Sequence, residues 1–124
     1  MRIESYKELE AYKKSYKIAG LVYEITKTFP KEELYGITSQ LRRAAISIPS
    51  NIAEGYMRGS KEYIQFLKIA LGSSAELDTQ LMLCVDIGLC SSKSMEQILS
   101  LNQEVLKLLR FYINKLDNSR YSMH

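Results

Sequence analysis

The chain carries a single histidine, and it is the last residue, His124. A catalytic imidazole pair therefore has no second member, and the Glu-x-x-His ligand sets of di-iron bundles are excluded. Cysteine is nearly as scarce. Cys84 and Cys90 stand six apart, which fits neither a CxxC redox pair nor a zinc pattern. They read as two reduced, mostly buried thiols. Two prolines and six glycines leave little of the 124 residues to be punctuated as loop. No apolar run reaches the roughly 18 residues that a membrane span needs. The start, MRIESYKELEAYKK, is charged and aromatic and lacks the apolar core of a secretory signal. The cytoplasm is the expected compartment, with no membrane partner. Phosphate loops, nucleophile elbows, HExxH and metal-tied carboxylate pairs are all missing. No catalytic residue, metal site or cofactor is expected, and the chain reads as a non-enzyme.

What is present is helical periodicity. At 46% hydrophobic and 25% charged residues, the composition is that of an ordinary soluble domain with enough chain to bury a core. Leu9, Tyr12, Tyr16, Ala19, Gly20 and Tyr23 recur at three- and four-residue steps and form the expected core stripe of a first helix. Ile18, Val22, Ile25 and Phe29 make a second line beside it, and Phe29-Pro30 ends it. KEELYG is a connector, after which Thr38 or Ser39 can cap the second helix. Tyr63, Leu67, Ala70, Ser74, Leu77, Leu81 and Val85 mark a third helix, with Ser60 as its cap and Gly88 as its stop. Ser91 or Ser92 starts a fourth, whose stripe runs from Met95 to Leu116, and the tail after it is expected to be loose. Strand alternation is absent. The spacing predicts an all-α, up-down-up-down antiparallel four-helix bundle in one domain, 1–124, with helices at about 5–29, 38–58, 60–88 and 92–117.

The stretch SIPSNIAEGYMRGS interrupts this simplicity with a proline. Placed on a helix at about 100° per residue, Leu41, Ala45, Ile48 and Ile52 share one face, with Ala44 and Gly55 at its edges. Gln40, Arg43, Ser47, Asn51, Glu54 and Arg58 step by 3, 4, 4, 3 and 4 and form a polar ladder next to it. Ile46, Ala53 and Met57 form a third, apolar strip facing away from the core. Pro49 is expected to kink this helix and free the carbonyl near Ala45, with Ser47, Ser50 and Asn51 close enough to satisfy it. A break into a loop at Ser-Ile-Pro-Ser-Asn is the competing reading. Glu54 can pair with Arg58 at i, i+4, and Glu54 or Glu76 can reach Arg42 or Arg43 on another helix or subunit.

YGITSQLRRAAISIPSNIAEGYMR (35–58) resembles the signature of the four-helix-bundle family named for 23S ribosomal-RNA intervening sequences. FLKIALGSSAELDTQL (66–81) is similar to the family's second motif, and ELEAYKKSYKIAGLVYEITKTFPKEE to its opening helix, with Tyr12 where the family often has tryptophan. The resemblance implies a bacterial four-helix bundle that self-associates as a ring. A relative, the accessory protein of diversity-generating retroelements, is a basic pentamer that binds nucleic acid beside a reverse transcriptase. The resemblance points to Arg42, Arg43 and Arg58 as the matching basic positions and supplies no catalytic residues.

The residues themselves add two expectations. Apolar side chains beyond one stripe per helix, at Ile46, Ala53, Met57, Leu83 and Ile87, with Met82, Leu101 and Leu108 beside them, mark a homo-oligomer interface. Arg42, Arg43, Arg58, Lys61 and Lys68 form the candidate nucleic-acid footprint, with Lys13, Lys14 and Lys17 as a second cluster. At a net charge of +3 and a pI near 8.8, such weak sites act together only when an assembly repeats them. The expected function is a nucleic-acid or ribonucleoprotein accessory factor, with RNA and DNA both open. The alternative is a scaffold for self-association or for a protein partner, in which Gln40, Ser47, Asn51, Glu54 and Glu76 lock subunits together.

Overall fold

The computed structural model describes residues 5–122, and side chains through residue 118. Its helices are α1 (Glu10–Thr26), α2 (Ser39–Arg58), α3 (Ser60–Asp86) and α4 (Ser92–Ser122). They form a four-helix bundle in which α2 packs against α1 and α3, and α4 closes the square against α3 and α1. No strand occurs among the described residues.

The first helix is shorter than its periodicity implies. A 3-10 turn, Tyr6–Glu8, comes first, and Leu9 is extended at φ −69°, ψ 132°. Three consecutive amides, on Lys27, Thr28 and Phe29, then bond carbonyls only three residues back, so α1 tightens and stops after Thr26, before the Phe29-Pro30 pair is reached. The connector is a 3-10 turn, Lys31–Glu33, followed by a π turn, Leu34–Thr38. Because that turn runs straight into α2, Thr38 already has helical angles and its side chain makes no cap bond. Ser39 Oγ instead donates to the Gly36 carbonyl at 3.0 Å.

The α2–α3 link is one residue long. Gly59, at φ 107°, takes the capping position expected of Ser60, because a left-handed residue reverses the chain where a side chain would strain it. At the far end of α3, Gly88 at φ 82° forms the expected stop. Its amide bonds the Val85 carbonyl, and the Leu89 amide bonds that of Cys84 at 2.9 Å, which is the Schellman pattern. Ser91 caps α4 by accepting from the Ser94 amide at 3.1 Å. The α4 helix then continues to Ser122, past the expected end at 117 and through part of the tail expected to be loose. His124 lies outside the described residues.

Leu41, Ala44, Ala45, Ile48, Ile52 and Gly55 of α2 are all buried, as their spacing demands, and α2 passes Pro49 without a break. They meet Leu67, Leu77 and Leu81 of α3 and Met95, Val105 and Leu109 of α4 in one core. Inside it lies a polar pair: Ser74 Oγ donates to Asn102 Oδ1 at 2.7 Å, and Asn102 Nδ2 returns a bond to the Ser74 carbonyl at 2.9 Å.

Two consequences are testable. A Cβ on Gly55 would sit 2.5 Å from the Phe66 Cβ, an atom fixed to the α3 backbone, whereas a Cβ on Gly72 meets nothing within 4 Å. Gly55→Ala is expected to destabilise by about 1–3 kcal/mol through overpacking. Gly72→Ala is expected to stabilise by about 0.5–1 kcal/mol through helix propensity. Urea denaturation separates the two.

Burial pushes the Cys84 thiol from 9.0 up to about 11, with smaller contributions from Cys90 and Glu33. Burial likewise pushes the Tyr63 hydroxyl from 10.0 up to about 12, with Tyr112 and Tyr56 adding to it. Both groups hold their proton more tightly folded than unfolded, so the unfolded chain ionises first. Stability is therefore level below about pH 9 and falls as pH rises towards about 12. The urea midpoint followed across that window checks it, and Cys84→Ala removes the lower part of the fall.

Candidate interface and basic surface

The line of α1 that enters the core is Ala11, Ser15, Ile18, Val22 and Thr26. The tyrosine line, expected there from its spacing, is rotated out of it. Tyr16 is 65% exposed, Tyr23 is also exposed and Tyr12 is half-buried. Small polar residues win the core because their hydroxyls are satisfied within the helix. Ser15 Oγ donates to the Tyr12 carbonyl at 3.1 Å, and Thr26 Oγ1 to the Val22 carbonyl at 2.7 Å. A tyrosine in their place would have to find a partner for its phenol inside the bundle.

The displaced tyrosines wall a groove of about 440 Å3 between α1 and α2, closed on the α2 side by Ile46, Pro49, Ser50 and Ala53. Ala19 and Gly20 provide the room, since neither projects far from α1. Tyr6 meets Tyr12 edge-on at 5.1 Å and Tyr56 at 6.3 Å, and Tyr12 lies 5.9 Å from Tyr16. Burial, then the neighbouring Tyr6 and Tyr16 hydroxyls, raise the pKa of Tyr12. The groove was not legible as such, although the small-residue pair Ala19-Gly20 beside Pro49 was its sequence signal.

The expected interface residues fall in two places. Ile46, Ala53 and Met57 lie along the groove side of α2, with Ile46 exposed, Ala53 half-buried and Met57 72% exposed. Leu83 is exposed in the last turn of α3, and Ile87 is exposed just past its end. There they share an end of the bundle with the connector, where Glu33 is near enough to act on the Cys84 thiol.

The polar ladder divides as well. Asn51 Nδ2 donates to the Ser47 carbonyl at 2.8 Å and to Ser47 Oγ at 2.9 Å, and Ser47 Oγ lies 2.8 Å from Ser73 Oγ of α3. This part fastens two helices of one subunit. Gln40, Arg43 and Glu76 instead line an open α2–α3 groove with Thr79 and Gln80. Gln80 Nε2 donates to Glu76 Oε1 at 3.3 Å.

The five expected basic residues do not share one face. Arg42 turns to α1, where its Nε donates to Thr26 Oγ1 at 2.9 Å and its guanidinium lies 4.7 Å from the Tyr23 ring centre. Arg43, one position on and about 100° round the helix, is exposed on the α3 side. Arg58 bonds Glu54 at 2.8 Å and lies over the Phe66 ring. Lys61 is exposed, and Lys68 stands 4.0 Å from Asp117 of α4. In the other cluster, Lys14 bridges to Glu104 at 3.6 Å and Lys13 is 3.8 Å from Glu10. Among the described residues, no three carboxylate, thiol or imidazole groups gather as a metal-ion set, and no helix is long and apolar enough to cross a membrane.

The family model described as 23S rRNA-intervening sequence protein matches residues 7–111. The chain belongs to that family. A crystal structure of a protein of unknown function from the S23 ribosomal protein family of Bacteroides thetaiotaomicron has a similar fold. It has a TM-score of 0.77 and 25% sequence identity, over 84% of this chain and 95% of that one. No curated protein matches the chain. The family match covers α1, α2 and α3 entirely and most of α4, and takes in all the groove residues but Tyr6.

The two adjacent arginines should behave differently on substitution. Arg42→Ala removes a charged hydrogen bond and a stacking contact and is expected to cost about 1–2 kcal/mol. Arg43→Ala, with no such partners, is expected to stay within about 0.5 kcal/mol of the parent. Thermal melts of both variants check this.

Proposed function

We propose that this protein is a non-catalytic, self-associating helical bundle whose assembled copies present repeated lysine and arginine side chains to a nucleic-acid backbone. The observation that carries the reading is uncovered apolar surface. Tyr16, Ile46 and Met57 on one side, and Leu83 and Ile87 at one end, are exposed in the single subunit, and contiguous apolar surface of this kind usually marks a partner. A closed ring, such as a pentamer, would repeat each exposed cation several times round an axis and turn weak phosphate contacts into a multivalent one. The family's description refers to 23S ribosomal-RNA intervening sequences, which makes structured RNA the first ligand to test. The cytoplasm suits the two free cysteines, Cys84 and Cys90, which stay reduced there.

A scaffold that binds no nucleic acid is the second reading. It is favoured by the positions of Arg42, Arg58 and Lys68, each already engaged by a side chain of its own subunit.

Sedimentation and RNA binding separate these readings. The expected mass is a multiple of 14.3 kDa. Anisotropy of a labelled structured RNA is expected to show log affinity falling linearly with log salt, with a slope of about 0.7–0.9 per phosphate engaged. Arg43→Ala and Lys61→Ala should each make that slope shallower. An oligomer that binds no RNA even at low salt leaves the scaffold reading standing alone.

A further inference from the structure

The α1–α2 connector borders a smaller cavity that shares no lining residue with the tyrosine groove. Its volume is about 170 Å3. Pockets for drug-sized ligands start at roughly 300 Å3, so this one suits an ion or a single small group. Three cations border it, each from a different element. Lys27 stands just past the end of α1, Lys31 on the turn after Pro30, and Arg42 on α2. No carboxylate lines it. Glu32 and Glu33 follow Lys31 in the chain but are not part of the lining. Glu24 pairs with Lys27 at 3.1 Å, an exposed contact that an incoming anion can displace.

Two details set this pocket apart from a merely basic patch. Arg42 is held from behind: its Nε donates to Thr26 Oγ1, and its guanidinium lies over the Tyr23 ring. The four N–H bonds of its terminal nitrogens are not taken up by that hydrogen bond. Such an edge presents two parallel donors to two oxygens of one oxyanion. Thr38 lies four residues before Arg42 on the same face and also borders the pocket. It is 2% exposed, and its hydroxyl oxygen has no hydrogen-bond partner. A buried hydroxyl left unpaired is costly. Thr26, by contrast, has its hydroxyl engaged by Val22 and by Arg42. Threonine at helical angles has two accessible rotamers, so the Thr38 hydroxyl can turn to an acceptor that enters the pocket.

We propose that this pocket binds a phosphate monoester group. The guanidinium edge of Arg42, the ammonium groups of Lys27 and Lys31 and the hydroxyl of Thr38 supply its donors. Three positive charges face a group of charge close to −2 with three acceptor oxygens. A carboxylate, with one charge and two oxygens, would leave part of that set unused. The cavity admits the phosphate and leaves the rest of its carrier outside. That carrier is either a small phosphorylated compound or the phosphorylated end of an RNA strand. The site stands on one subunit and does not depend on the assembly proposed above.

Inorganic phosphate is the first probe, titrated at about pH 7.5, above its second pKa near 6. Ionic strength is held constant, and amide chemical shifts are followed. Saturable shifts confined to residues 26–42 are expected. Lys31→Ala, at an exposed position, is expected to weaken binding about tenfold. Thr38→Val removes the unpaired hydroxyl. It is expected to weaken binding to a similar degree while the melting temperature without phosphate stays level or rises. Lys107→Ala, exposed on α4 outside the pocket, is expected to bind as the parent does. Two RNAs of one sequence, one with a terminal phosphate and one with a terminal hydroxyl, identify the carrier. Preference for the phosphorylated strand that Lys31→Ala abolishes assigns the pocket to a strand end. Saturable phosphate binding without that preference assigns it to a small phosphorylated compound.

Shifts that do not saturate, or binding that Lys31→Ala and Thr38→Val both leave unchanged, overturn the inference. Lys27 and Arg42 then serve only to offset the carbonyl end of α1. Equal weakening by Lys107→Ala also overturns it, because general charge attraction would then explain the binding. Failure of both RNAs to bind, with phosphate still saturating, counts against the function proposed above and leaves the pocket standing.

Discussion

The close approach of α2 and α3 is the constraint from which the rest of the bundle follows. A single residue, Gly59, joins them, so they must run antiparallel as neighbours. Where they meet, Gly55 leaves no room for even a methyl group against Phe66. Further along, the contact is again made by small side chains, Ser47 against Ser73. With the α3 side of α2 fixed this way, the core stripe must carry Leu41, Ala45, Ile48 and Ile52, and the opposite flank must face α1. That flank holds Arg42, Ile46, Pro49 and Ala53, and it meets Ala19 and Gly20 across the gap. Small residues on both sides, without the interlocking seen at Gly55, leave a groove. The tight seam and the open one are thus two sides of the same helix.

A second constraint fixes how α4 lies on this pair. Asn102 is fully buried and has both its donor and its acceptor engaged by Ser74. An apolar stripe permits several sliding positions of one helix on another, each burying similar area. Only one of them brings a carboxamide opposite the Ser74 hydroxyl and carbonyl, and any other leaves buried polar groups unpaired at a cost of about 1–3 kcal/mol each. The polar pair therefore selects a register among alternatives that hydrophobic burial alone ranks as near equals.

The helix count, the links and the α2 core stripe were legible because each depends on local rules: helical spacing, a glycine that stops a helix, a serine that starts one. The side of α1 that faces inward was not. Two adjacent stripes, one of tyrosines and one of Ser15, Ile18, Val22 and Thr26, offer the same period. Hydrophobicity alone favours the larger rings. What decides the matter is the space between helices and the hydroxyl accounting, in which Ser15 and Thr26 bond their own helix. The early end of α1 was hidden for a related reason, since Thr26 and Thr28 turn their hydroxyls back on its last carbonyls. The basic positions were legible as cations but not by direction. Arg42 and Arg43 are adjacent in sequence, yet one residue's step round the helix, about 100°, sends them to different neighbours.

That divergence bears on what the surface can offer a ligand. Lys13, Lys14, Lys27, Arg58 and Lys68 each lie within 4.0 Å of a carboxylate, most of them well exposed. Exposed pairs of this kind are worth about 0–1 kcal/mol, so a phosphate could displace the carboxylate at little cost. Arg42 is different, because its bond to Thr26 and its contact with Tyr23 tie it to the fold. It could meet a phosphate only through the guanidinium edge that those contacts leave open. Beyond the connector pocket, the cations open to an outside anion are therefore spread round the subunit, and no one subunit concentrates them. In the proposed assembly, concentration comes from symmetry, which brings the same thinly charged face from each copy to one side. Under that proposal the uncovered apolar surface and the scattered cations have one physical explanation, since neighbouring copies would cover the first and gather the second.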